Sequence, residues 1–227
     1  MLQPYAHSAR LAALAAAHGI GAATLGAFRY LAFGSGSGEE LLSLASRFPA
    51  SELVGVDLGE GLDLARRAAK ACGLDNVRFV TLEAVDGAFD FVVAHELFAR
   101  LDAELLALLA RRLTPTGVAL LGYHTLPGAA LSALARRVVM RAVREDMSLA
   151  ERRSVAQTGL GVVARHVGAH DDALSGLVRS ELLDVAARLE EPHVEGVPPI
   201  DDALNVAEFV AEARRAGLEF VARGPHG

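Results

Sequence analysis

Through its first half, the apolar positions of this chain alternate between helical spacing and short unbroken runs. Residues 7–18 carry apolar side chains at helical intervals and stop at Gly19, which predicts an amphipathic helix. Residues 28–33 (FRYLAF) predict a short buried strand, ended by the glycine-rich GSGSG of residues 34–38, and a helix follows from Glu39 to about Arg47. The rhythm then repeats. Strands are expected at 52–57 (ELVGVD), 77–82 (VRFVTL), 89–94 (FDFVVA) and 117–122, with helices at 61–72 and about 102–113 between them and a turn at TPTG, residues 114–117. Strands apolar on both faces that alternate with helices imply a parallel sheet covered on two sides.

After Leu126-Pro127-Gly128 the pattern becomes wholly helical. Residues 129 to about 190 read as two or three helices, 191–203 as a proline-rich acidic loop, 206–216 as a helix capped by Gly217, and 218–222 (LEFVA) as a sixth strand. The expected architecture is therefore an α/β, Rossmann-like, doubly wound and mostly parallel sheet. Its parts are a cofactor-binding core (1–128), a helical insertion or lid between strands five and six (129–205), and a closing helix and strand (206–227).

Composition narrows the function. Hydrophobic residues make up 52% and charged residues 22% of the 227, enough to bury a full core. A net charge of −6 disfavours nucleic acid, whose phosphates call for a basic face. Cys72 is the only cysteine, which leaves no intrachain disulfide and no cysteine zinc site. No run reaches the ~18 apolar residues of a membrane span, and the first residues lack the layout of a signal peptide, so a cytoplasmic location is expected. His166 and His170 stand four apart, but no Glu accompanies them; they read as a solvated helix end, and no metal is expected.

The candidate chemistry lies at the strand ends. Gly34 can make a sharp turn after the first strand, and Gly36 lets a ligand approach bare backbone. The amides of the following helix favour a negative or polar ligand group. The spacing is G-x-G-x-G, not the G-x-G-x-x-G of dinucleotide binders, and Glu39 and Glu40 put negative charge where a pyrophosphate would lie. A ligand without phosphate is favoured over NAD. Asp57 closes the second strand, where an acid can accept both hydroxyls of a ribose. Glu83 stands where it can accept from an adenine amino group, with Leu58 and Leu82 packing on the ring.

These residues resemble class I S-adenosylmethionine-dependent methyltransferases. FGSGSG resembles their first motif, VGVDLGEG the second, LDNVRFVTLE the third, and FDFVVAHELFARL the strand that reaches the active site. More narrowly, AHELFARL, GYHTLPG and EFVAEARRAGLEFVAR resemble bacterial methyltransferases that carry a methyltransferase regulatory domain, some of which methylate protein lysines. The resemblance implies S-adenosylmethionine as cofactor and a protein side chain or small molecule as acceptor. It implies that Gly34, Ser35, Gly36 and Gly38 line the methionine portion, Asp57 holds the ribose and Glu83 the adenine, while His95, Tyr123 and His124 face donor and acceptor. The long helices become a lid or a homodimer contact. Two departures stand out: Ala32 occupies the position where the family usually has an acid, and only Gly224-Pro225-His226-Gly227 follow the closing segment, where a seventh strand is usual. They motivate the alternative of a non-catalytic S-adenosylmethionine-binding or scaffold protein.

Overall fold

The computed structural model describes residues 6–21, 25–57, 60–94, 103–123, 125–126, 129–144, 146–189 and 205–222. They fall into two compact units, one of residues 1–97, 101–123 and 209–227, the other of 98–100 and 124–208. In the first, α1 (Ser8–Ala17) precedes β1 (Arg29–Phe33), α2 (Glu39–Arg47), β2 (Glu52–Val56), α3 (Glu60–Ala71) and β3 (Val77–Val80). A 3₁₀ turn at Leu82–Ala84 leads to β4 (Phe89–Ala94), α4 (Ala103–Arg111) and β5 (Leu113–Leu121). Among the described residues the sheet has five strands, all parallel, in the order β3-β2-β1-β4-β5. This is the Rossmann-like doubly wound fold. The chain winds outward from β1 through β2 and β3, then returns to lay β4 and β5 on the other side, so the topological switch lies between β1 and β4.

The strands are strands because both their faces are covered. Leu31, Leu53, Val54, Phe91 and Val92 are fully buried, and burying each contributes about 1.5–3 kcal/mol. On one side, Leu41 and Leu44 of α2, Ala65 of α3 and Leu11 of α1 join Tyr30, Phe79 and Phe91 in a continuous core.

The N-terminal ends of the strands are tied together by polar groups. Arg29 donates to Glu52 (2.8 Å) and to the carbonyl of Ala88 (2.7 Å), and its guanidinium lies 4.6 Å from the centre of the Phe89 ring. Arg78 reaches the same Glu52 and also Asp86, while the Asp90 carboxylate accepts from the amide of Arg29 (2.8 Å). The Asn76 side-chain nitrogen lies 3.1 Å from each of the carbonyls of Ala45, Phe48 and Ser51, joining the end of α2 to the starts of β2 and β3.

Two expectations need correction. The TPTG segment is no turn: it lies inside β5, as an irregularity between the pairs Phe89↔Leu113 and Phe91↔Val118. Here β5 borders the sheet, and an exposed Pro115 with no N–H to donate is tolerated at such an edge. Residues 218–222, expected to form the sixth strand, have no regular structure. An apolar run forms a strand only where a sheet edge accepts its backbone, and Phe220 of this run is exposed. The helices after β5 are thus not bracketed by a sixth strand among the described residues.

The second unit is built from α5 (Ala130–Ala142), α6 (Leu149–Val167) and α7 (Ala173–Arg188) around Val139, Leu160, Ala164, Leu182 and Val185. Ser148 and Glu151 form a reciprocal capping box at the start of α6, and Asp172 caps α7 by accepting from the amide of Ser175 (3.0 Å). The rings of His166 and His170 stand edge-to-face at 6.4 Å. Among the described residues no three His, Cys, Asp or Glu side chains gather as metal ligands. The last helix, α8 (Val206–Arg215), ends at Gly217 with φ 88°, and its residues from Phe209 onward belong to the first unit.

Candidate cofactor site

Where β1 ends, the chain must turn sharply to enter α2, and the glycines make this possible. Gly34, Gly36 and Gly38 have φ of 69°, 51° and 80°, the left-handed region that other residues rarely adopt. The amides of Gly34 and Ser35 both donate to the carbonyl of Val56 (2.8 and 3.1 Å), and that of Gly38 to the carbonyl of Ser35 (2.8 Å). The turn is thereby stapled to the end of β2.

Gly36 and Gly38 differ in what they face. A Cβ on Gly36 would meet nothing within 4 Å, so bare backbone borders open space there. A Cβ on Gly38 would lie 2.5 Å from the Phe79 ring and 2.9 Å from Ala65. A Cβ on Gly55 would meet the same edge of that ring, at 2.6 Å, so the two glycines make the slot that Phe79 fills. Gly38 therefore brings α2 close to the sheet, while Gly36 leaves room for a ligand.

Asp57 follows β2 directly, and its carboxylate accepts from the amide of Gly36. Acid and turn thus face each other across the C-terminal ends of β1 and β2. The hydroxyl oxygen of Ser35 is buried with no hydrogen-bond partner among the described residues. Leu82 is half-buried and Glu83 exposed on the 3₁₀ turn after β3. Bonds from its own amide and from the Thr81 hydroxyl hold the Glu83 carboxyl below its ordinary value. Tyr123, just past β5, stacks on Phe209 of α8 with ring centres 3.8 Å apart. His95, His124 and Leu58 lie outside the described residues.

Residues 31–119 match the family model described as methyltransferase domain. This stretch runs from the middle of β1 into β5 and contains the glycine turn, Asp57 and Glu83. That stretch is similar to methyltransferase domains. Two proteins of Rickettsia prowazekii (strain Madrid E) share segments with the chain. RP028 is 30% identical over 122 residues, 49% of this chain and 49% of its own length; RP789 is 30% identical over 137 residues, 55% of this chain and 25% of its own. The chain thus spans about half of the one relative and a quarter of the other. Among solved structures, PKMT2 from Rickettsia typhi in complex with AdoHcy superposes with a TM-score of 0.77 at 21% identity, over 96% of this chain and 44% of that one. A second PKMT2 structure gives 0.72. At that identity the likeness establishes the fold.

Three residues in and around the matched stretch escaped the sequence reading as site-shaping groups. The slot for Phe79 had a signal in Gly55, a glycine inside an otherwise bulky strand, which marks a close approach. Phe209 had none, because its partner Tyr123 is remote in sequence. Glu40, taken only as negative charge at a helix start, is half-buried with Oε1 enclosed and without a hydrogen-bond partner among the described residues. Burial raises its carboxyl above the ordinary value.

No helix among the described residues is long and apolar enough to cross a membrane.

Proposed function

We propose that this chain transfers the methyl group of S-adenosylmethionine to a nitrogen on a protein side chain, lysine first, with a small-molecule acceptor as the variant of the same reading. The observation that carries it is the Asp57 carboxylate bonded to the amide of Gly36 at the C-terminal ends of β1 and β2, where the bare backbone of Gly36 borders open space, inside a segment that matches a methyltransferase domain. Bare backbone at Gly36, a carboxylate able to accept ribose hydroxyls, and an unpartnered Ser35 hydroxyl suit a nucleoside with an amino acid tail. The acceptor class draws on the family resemblance and on the fold shared with PKMT2.

When bound, S-adenosylmethionine supplies a methyl group already activated on a sulfonium. The work left to the protein is therefore alignment and exclusion of water. In this reading Gly34, Ser35, Gly36 and Gly38 form the cradle, Asp57 accepts from the ribose, and Glu83 accepts from the adenine amino group beside Leu58 and Leu82. An amine acceptor attacks only when neutral, so His95, Tyr123 or His124 would hold or remove its proton. The Tyr123 ring is suited to this by the stacking on Phe209, which restricts its rotation. The homodimer reading rests on exposed Leu174 and Leu177 of α7, and light scattering tests it.

A second reading, a binding protein without catalysis, is favoured by Ala32. Calorimetry with S-adenosylmethionine, S-adenosylhomocysteine and NAD is the first test, and absence of binding by both sulfur ligands overturns either reading. Transfer of labelled methyl groups to cell extract then separates them: labelled protein supports the first, binding without transfer the second.

A further inference from the structure

Phe28 packs edge-to-face on Phe48 and on Phe91, with interplanar angles of 65° and 83° and ring centres 5.2 and 5.5 Å apart. Tyr123 and Phe209 differ: they lie nearly flat on each other, at 29° and 3.8 Å. Either arrangement fills space, but a flat pair also fixes the plane in which each ring lies.

The sequence around Phe209 holds it firmly. The buried residues of α8 are Phe209 and, one turn on, Ala213, whereas Tyr123 is half-buried. The side chains of Asn205 and Glu208 accept from each other's amides at the start of the helix (2.9 and 3.1 Å), and Gly217 closes its end. Residues 124–208 belong to the second unit, so Tyr123 is the last residue before that stretch and Phe209 the first after it. The stack thus joins the points where the chain leaves the first unit and re-enters it.

Strand register says what the stack holds in place. Val56, Phe33, Ala94 and Leu121 form one row across β2, β1, β4 and β5. Past that row, the amide of Gly122 still donates to the carbonyl of Ala94 (2.9 Å), which keeps the chain beside the end of β4. Asp57 follows the row on β2, and Tyr123 lies two residues beyond it after β5. The two residues therefore stand on opposite sides of the switch between β1 and β4, their backbones about 14 Å apart at three strand spacings. A ligand with its ribose on Asp57 and its reacting end across the switch is directed toward Tyr123.

We infer that Phe209 is a positioning residue, whose flat stack holds the Tyr123 ring with its phenol oxygen toward the transferred methyl group and the incoming amine. The inference rests on the cofactor reading above and adds to the reacting end a residue of α8, outside the matched stretch. Tyr123 meets the ligand, and Phe209 acts through Tyr123. A phenol oxygen can accept from an amine while its own proton is donated elsewhere.

The test compares two ligands that differ at the reacting position: S-adenosylhomocysteine has nothing where the methyl group sits, and sinefungin has an amine there. Calorimetry on the wild-type chain should show sinefungin bound more tightly, and Tyr123→Phe should reduce that preference about 10-fold. Phe209→Leu keeps a buried apolar group but not the flat ring. It should reduce the preference about 3- to 10-fold while S-adenosylhomocysteine binds as to wild type, and Phe209→Met makes the same comparison if the leucine variant does not fold. Phe209→Tyr, which keeps the ring, should retain the preference. Adding Phe209→Leu to Tyr123→Phe should cause no further loss of preference, because the two residues act as one. A preference unchanged by Phe209→Leu, equal losses for both ligands, or losses that add in the double variant overturn the inference. So does a wild-type chain that binds the two ligands equally, although the cofactor reading then stands. If the wild-type chain binds neither ligand, the cofactor reading itself is wrong and the inference falls with it.

Discussion

At the N-terminal ends of the strands Arg29, Glu52, Arg78 and Asp86 bond one another, and Asn76 joins three carbonyls. At the C-terminal ends of β1 and β2, by contrast, Ser35 and Glu40 keep buried polar atoms without partners among the described residues, and Gly36 borders open space. The first end satisfies its polar groups internally, which ties four strands together but leaves little for a ligand to gain. The second leaves groups unsatisfied at a cost in stability, and a bound ligand can offset it. Within one sheet, stability and recognition have been divided between opposite ends.

Substitutions at the two inner glycines should give the largest effects and break the comparison most directly. Gly38→Ala drives a Cβ into Phe79 at a left-handed φ and should cost about 2–4 kcal/mol in urea unfolding. Gly36→Ala meets no atom, so its stability loss should stay near 1 kcal/mol of backbone strain while cofactor binding drops. Equal stability losses would show that both glycines serve packing alone.

Asp57→Ala should weaken S-adenosylhomocysteine by about 2–3 kcal/mol, because two hydrogen bonds to a charged acceptor disappear. Glu83→Ala should lose less, since it removes one bond from an exposed side chain. Calorimetry reads both, and a reversed order would end the ribose assignment.

At the opposite end, Arg29→Ala should cost about 1–2 kcal/mol of stability, chiefly through the lost Ala88 bond and the cover over Phe89, since half-exposed ion pairs contribute little. Its affinity for S-adenosylhomocysteine should match wild type, and a large change there would mean the two ends are coupled.

The smallest effect is a pH dependence. Hydrogen bonding to Arg29 holds the Glu52 carboxyl below its ordinary value of 4.5. A lowered carboxyl stabilises the fold fully above 4.5 and loses that contribution as pH falls through the lowered value. Glu52→Gln should therefore melt slightly below wild type at neutral pH, by roughly a few tenths of a kcal/mol after screening by solvent. The gap should close on acidification below 4.5; a gap that persists there would remove the charge from the explanation.

Much of this was visible in the chain before any coordinates. The glycine turn, Asp57 at a strand end, the α2 span at residues 39–47 and the strand at 89–94 follow from spacing alone, because turn chemistry and two-sided burial act over a few neighbouring residues. Residues 114–117 misled because proline and glycine signal a turn equally well in a loop and in a bulged edge strand. Residues 218–222 misled because their apolar pattern says nothing about whether a sheet edge is there to receive them.

The order of buried strands and helices, the bare backbone at residues 34–38 and the acid after β2 were determined by the sequence itself, since each depends on a local pattern of polarity, size and backbone freedom. Only the tertiary structure decided that Gly38 makes room for Phe79, that Tyr123 meets Phe209, and that a carboxyl oxygen of Glu40 is enclosed. Those pairings join residues brought together by packing, and packing depends on which surfaces of separate elements meet once the sheet has formed.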